Sequence, residues 1–200
     1  MRNACKRAGH GVIILGLCLV GGGLLGCAPG SQTVQLEPQV SVDEPAELAD
    51  GELALRVIDR RPRQIFGYRD EGSGATLDGE PTLERAVRQA LGEAFAAQGV
   101  TVTEWDGEAP RRLEVAIYRF DYQRSGGFLS RQAELVSEWR VAGAVDGQRY
   151  SSEVALSTEE RALFGPSERR NADMVHRALE RSVRRVATQR ELLELLEEAS

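Results

Sequence analysis

Apolar positions recur along this chain in two periods, and the periods mark out most of a fold. Over 52–59 they alternate: Leu53, Leu55 and Val57 lie on one face and Ala54, Arg56 and Ile58 on the other, the pattern of a strand, which Pro62 then stops. Over 82–99 the spacing changes to three and four. Leu83, Ala86, Val87, Ala90, Leu91, Ala94 and Phe95 form the apolar stripe of an amphipathic helix. Thr82 is placed to cap it, Glu84 suits its positive end, and Gly99 stands where a left-handed terminator belongs. The period then returns to two, in a short strand over 100–105 and a longer one over 113–123. A third strand, over 131–145, turns its odd positions (Ala133, Leu135, Trp139, Val141, Val145) to the core. Asp146-Gly147 predicts a tight hairpin into a strand over 148–156. A second amphipathic helix is predicted over 172–187 on Met174, Val175, Ala178, Leu179, Val183 and Val186, followed by a short helix on Leu192, Leu193, Leu195 and Leu196. This order predicts an α+β fold: a mostly antiparallel sheet of about four to five strands with two amphipathic helices on one face, β-α-β-β-β-β-α.

Two stretches carry little period. Residues 28–51 hold Pro29, Pro38 and Pro45 among scattered acids and read as a tether, although Val34, Leu36, Val40 and Val42 alternate weakly enough to run along a sheet edge. Residues 60–81, with Gly67, Gly72, Gly74 and Gly79, read as a long loop, a length that is usually functional or disordered.

The N-terminus has a different logic. Arg2, Lys6 and Arg7 precede an apolar run over 12–25, the layout of a secretory signal. The run is shorter than the ~20 residues a spanning helix needs. It closes on Leu24-Leu25-Gly26-Cys27, which resembles the bacterial lipobox, cut before a cysteine that has received a diacylglycerol. The chain therefore divides into a signal (1–26), a lipidated N-terminus and tether (27–51) and one periplasmic domain (52–200). Cys5 and Cys18 fall in the signal and Cys27 is the lipidation site, so the domain holds no disulfide and must rest on a packed core.

Charge and chemistry narrow the function. Three of the 25 basic residues lie in the signal, leaving 22 against 31 acidic, a net of −9, which speaks against a nucleic-acid partner. Lys6 is the only lysine, so the domain has no Schiff-base lysine. Beyond the signal, His176 is the single histidine, and neither metal-ligand spacings nor a nucleophile elbow occur. The expectation is a protein without enzymatic activity, cofactor or metal.

Two constellations remain as candidates. Asp59-Arg60-Arg61-Pro62 continues into Arg63, Phe66, Gly67, Tyr68 and Arg69. Arginine forks suit carboxylates and phosphates, so Arg61, Tyr68 and Arg69 could bind an anionic envelope glycan or lipid. An Asp–Arg network anchoring the loop is the favoured alternative. The second constellation is Tyr118, Phe120, Tyr122 and Phe128. Strict alternation places the first three on one strand face, either covered by helix or exposed to a partner.

The ordered set Gln32-Thr33-Val34-Gln35-Leu36-Glu37-Pro38, Val57-x-Asp59-x-Arg61, Gly67-Tyr68-Arg69 and the Leu-rich helix ending in Gly99-Val100-Thr101-Val102 resembles the YajG-like bacterial lipoproteins. So does the succession of three strands, a last helix and a short leucine helix. The resemblance covers nearly the whole chain and implies an outer-membrane lipoprotein facing the periplasm, with no reaction attached. The expected partners are the membrane, through acylated Cys27, and an unidentified envelope protein or glycan.

Cys27→Ala should leave the domain folded and mislocalise it. Fractionation with intact-mass analysis checks this: the mature wild-type chain should begin at Cys27 and carry acyl mass.

Overall fold

Eleven elements account for the described part of the chain, which in the computed structural model comprises residues 30–42, 48, 51–70, 72–126, 131–162 and 166–198. They are β1 (Gln32–Gln35), β2 (Gly51–Asp59), β3 (Gly67–Asp70), β4 (Ala75–Glu80), α1 (Leu83–Ala96), β5 (Val100–Thr103), β6 (Arg111–Gly126), β7 (Arg131–Val145), β8 (Gln148–Ala162), α2 (Glu168–Ala187) and α3 (Arg190–Glu198). The two long helices and the β6–β7–β8 meander are present as expected, although α2 begins at Glu168 rather than 172 and β8 runs on to Ala162 rather than 156, and Asp146 and Gly147 close the β7–β8 hairpin with positive φ at both residues.

The predicted sheet is corrected in number and direction. Eight strands form one mixed sheet, and four of its seven pairings are parallel: β1–β4, β2–β5, β2–β6 and β3–β6. Three helices are present where two were counted into the fold class. The cause lies in strand length. β1, β3 and β4 have four to six residues, too few for alternation to stand out, and the expected 60–81 loop contains the β3–β4 hairpin. The parallel β2–β5 pairing follows from α1, which carries the chain back so that β5 runs alongside β2. Part of the stretch that reads as a tether is also structural. β1 extends the sheet beyond β4, and Val34, Leu36 and Leu48 are buried in the main core cluster.

β6 is the spine. One edge pairs with β7 along its whole length, while the other is shared between two strands. β2 takes its first half, Ala54↔Arg112 to Asp59↔Ile117, and β3 meets its second half at Gly67↔Tyr122. At that junction the backbones approach so closely that a Cβ on Gly67 would lie 2.1 Å from the Tyr122 carbonyl oxygen, so only glycine fits. Helices α1 and α2 pack on the sheet and on each other, burying Phe95, Met174, Val183 and Trp139 in one cluster. Thr82 begins α1 without the expected side-chain cap, whereas Ser167 caps α2 by accepting from Arg170 N. Among the described residues, no helix is long and apolar enough to cross a membrane.

A chain begun at Gly51 should melt well below one begun at Ala28. It loses three buried aliphatic side chains worth ~1.5–3 kcal/mol each, and parallel thermal melts of the two chains check this.

Candidate functional site

The division of the β6 edge leaves an opening between β2 and β3, and the arginine-rich segment fills it. The backbone pairing stops at Arg60 N–H donating to Ile117 O (2.8 Å) and resumes at Tyr122 N–H donating to Phe66 O (2.7 Å). In between, Arg61 does the work of backbone. Its Nε and Nη2 grip the Asp59 carboxylate at 2.9 and 2.8 Å, and Nη2 also reaches Gln64 O at 3.1 Å. Nη1 donates to Ile65 O and to Phe120 O on β6, both at 3.4 Å. The Arg61 side chain is 5% exposed and that of Asp59 15%. Each nitrogen of the guanidinium is thus engaged within the chain, beside the edge-on Phe66–Phe120 pair.

Arg69 is held differently. Its side chain, 8% exposed, donates from Nη1 to Gly30 O at 2.5 Å and to Glu168 Oε1 at 3.0 Å, while Nε has no partner. Arg124 in turn donates to the Arg69 carbonyl. Next to it, Tyr122 donates to Asn171 Oδ1 (3.0 Å), Asn171 Nδ2 donates to Gln32 Oε1 (3.2 Å), and Gln32 Nε2 donates to Glu168 O (2.7 Å). Burial pushes the Tyr122 hydroxyl above the usual tyrosine range, against the opposing pull of Arg124 and Arg69. The network joins β1, β3 and β6 to the first turn of α2. Gln32, Asn171 and Glu168 were not among the predicted residues. A signal for Asn171 existed, because it occupies the apolar stripe of α2 one turn before Met174.

The aromatic trio on β6 is split. Ile117 pairs with Trp139 and Arg119 with Glu138, so Tyr118 is the extra residue of a β-bulge. The bulge shifts the phase: Leu113, Val115 and Ile117 face the core before it, and Phe120 and Tyr122 face the core after it. Tyr118 alone points out. At 47% exposure it is the only exposed large apolar side chain among the described residues, with the Arg140 guanidinium over its ring. Phe128 lies outside the described residues. Tyr68 is half-buried and borders a cavity of about 490 Å³ with Arg63 and Arg69.

Two further hollows adjoin the Arg61 bridge. One, about 280 Å³, lies on the Tyr118 side against Pro62, Ile65 and Phe66. The other, about 700 Å³, opens beside the start of α1 between Gln35, Asp78, Thr82 and Arg85, and Asp78 Oδ1 is buried there without a partner. Among the described residues no group of three or more His, Asp or Glu side chains could hold a metal. His176 is engaged with the Gln35 carbonyl at 2.7 Å, so its Nε2 carries the proton.

A family profile described as "Uncharacterized lipoprotein" matches residues 38–197. Among solved structures, a protein from Xanthomonas campestris assigned to family DUF330 superposes with a TM-score of 0.58 at 11% identity, covering 84% of this chain and 100% of that one. An uncharacterized protein does so with a TM-score of 0.50 at 12% identity, covering 80% and 97%. The rare lipoprotein B of Shewanella oneidensis gives 0.42 at 16% identity, covering 72% and 98%. For the first two, at these identities, the likeness is one of fold alone. No curated protein sequence matches the chain.

Arg61→Ala should destabilise the domain by about 3–5 kcal/mol, because it strands a largely buried carboxylate and reopens the β6 edge. Arg69→Ala should cost about 1.5–3 kcal/mol through the lost charged bond to the Gly30 carbonyl. Denaturant titration of both variants checks the order, and a wild-type midpoint for Arg61→Ala would show that the bridge is dispensable.

Proposed function

The chain belongs to this family of uncharacterised lipoproteins, and on that footing we propose that it is an outer-membrane lipoprotein whose periplasmic domain docks an envelope protein without catalysing a reaction. Family membership implies attachment to a membrane of the cell envelope. The finer assignment draws on the sequence. Cys27 follows Leu24-Leu25-Gly26, and the next residue is Ala28 rather than the aspartate that usually retains enterobacterial lipoproteins in the inner membrane. Acyl chains on Cys27 give stable anchoring, where a single chain would be marginal.

The observation that supports docking is the bulge at Tyr118. A strand that alternated regularly would point this ring the same way as Phe120 and Tyr122. The extra residue turns it out alone, at the rim of a hollow with apolar walls. An exposed tyrosine supplies broad contact area with few rotatable bonds, and the hollow is of a size to take an anchoring side chain from a partner. The arginine segment supports a ligand less well. Arg61 spends its donors on Asp59 and three carbonyls, and Arg69 is turned toward Gly30 and Glu168.

A photo-crosslinking amino acid at position 118 in intact cells should give discrete protein adducts, and one at exposed Arg185 on α2, across the core on the other side of the sheet, should give none. Tyr118→Ser should keep the wild-type melting temperature and lower recovery of the identified partner several-fold. Adducts equal at both positions, or none at 118, sink the docking role.

A further inference from the structure

The described chain does not begin as a free tether. The Gly30 carbonyl is held by the buried Arg69, Ser31 Oγ bonds Thr76 N (3.0 Å), and Gln32–Gln35 pair in parallel with Leu77–Glu80. Only Ala28 and Pro29 separate Cys27 from this fixed path. Three residues of extended chain reach at most about 11 Å. A flexible linker of the 25 residues over 27–51 would have ranged over about 25–30 Å.

Topology says which end of the domain is held. β3 ends at Asp70 and β4 starts at Ala75; β6 ends at Gly126 and β7 starts at Arg131; β8 ends at Ala162 and α2 starts at Glu168. All of these lie at the end where Gly30 enters, because β1 runs parallel to β4 and antiparallel to β6. The Asp146–Gly147 hairpin closes the other end, fifteen strand residues away, or about 50 Å. At the end where Gly30 enters, Arg161, Arg169 and Arg170 are exposed beside Glu159 and Glu168, and Arg170 pairs with Glu160 at 4.0 Å. Guanidinium groups are well matched to lipid phosphates.

From this we propose that the end of the domain formed by the β3–β4 turn, the end of β6, the start of β7 and the first turn of α2 is a membrane-apposed surface, seated on phospholipid headgroups. The acylated cysteine straps the domain there, and the strands stand away from the bilayer. The inference rests on Cys27 being the lipidated residue, and the test separates the two.

Lipidated protein is purified with a single introduced cysteine, Ser73→Cys at the β3–β4 turn or Gln148→Cys beside the far hairpin. The Cys27 sulfur is then a thioether, so the introduced thiol alone takes a fluorophore. In vesicles of phosphatidylethanolamine and phosphatidylglycerol that carry a headgroup quencher, the label at 73 should be quenched several-fold more than the label at 148. A ten-residue Gly-Ser insertion between Pro29 and Gly30 should erase that contrast with the melting temperature unchanged. Changing Arg161, Arg169 and Arg170 to Glu should reduce it. Intact mass without acyl groups would overturn the Cys27 reading and this inference with it. Acylated protein with equal quenching at both labels, or a contrast that survives the insertion, would overturn the membrane-apposed surface alone.

Discussion

An interrupted strand edge governs this architecture. Backbone N–H and C=O groups in a sheet must be paired or wet, and β6 offers sixteen residues of edge to two strands that do not meet. The chain crosses from β2 to β3 in seven residues, 60–66, and closes the opening with a side chain. Arg61 suits this because its planar fork can engage a carboxylate on one side and carbonyls on the other, and Asp59 holds the fork in plane. An ion pair this buried carries a desolvation penalty and is weak support for stability on its own. Its value here lies in the three carbonyls it satisfies. Without them β3 has one registered pair with β6, at Gly67↔Tyr122, where a methyl group could not fit.

A second set of polar contacts decides where α2 sits. The helix packs on the sheet through apolar contacts, which are non-directional, so its register needs bonds with direction. Tyr122, Asn171, Gln32 and Glu168 supply them at one end, and at the other Gln98 Nε2 donates to the Ala187 carbonyl at 3.1 Å. Between them, Ser137 and Ser182 share a bond across the interface at 2.9 Å. The core is therefore pinned at three levels along α2, and the first pin also carries β1, the strand nearest Cys27.

Periodicity revealed what it could reveal. The stripes of α1 and α2, the meander and the Asp146-Gly147 turn are all local patterns over ten or more residues or a turn with its own chemistry, and each was legible. Strand direction was not, because parallel and antiparallel partners show the same alternation. The short strands β1, β3 and β4 were hidden for want of length. The site was half legible. Asp59 and Arg61 could be picked out as a pair by their spacing, but their role depends on an opening in β6 nearly sixty residues on. Tyr118, Phe120 and Tyr122 looked equivalent because a bulge leaves no mark on alternation; it shows only when Ile117 and Arg119 are set against Trp139 and Glu138.

β1 has one more consequence, and it concerns force. Under the proposed anchoring at Cys27, a load between a docked partner and the cell envelope would pass through this four-residue strand. A hairpin pulled from its open end unzips one bond at a time. β1 instead lies parallel to β4, so a pull along its axis from the N-terminal side loads the β1–β4 hydrogen bonds together, in shear. The bond from Arg69 to the Gly30 carbonyl is the first to take that load. The segment of sequence with the least regular pattern is thereby the mechanical link of the molecule.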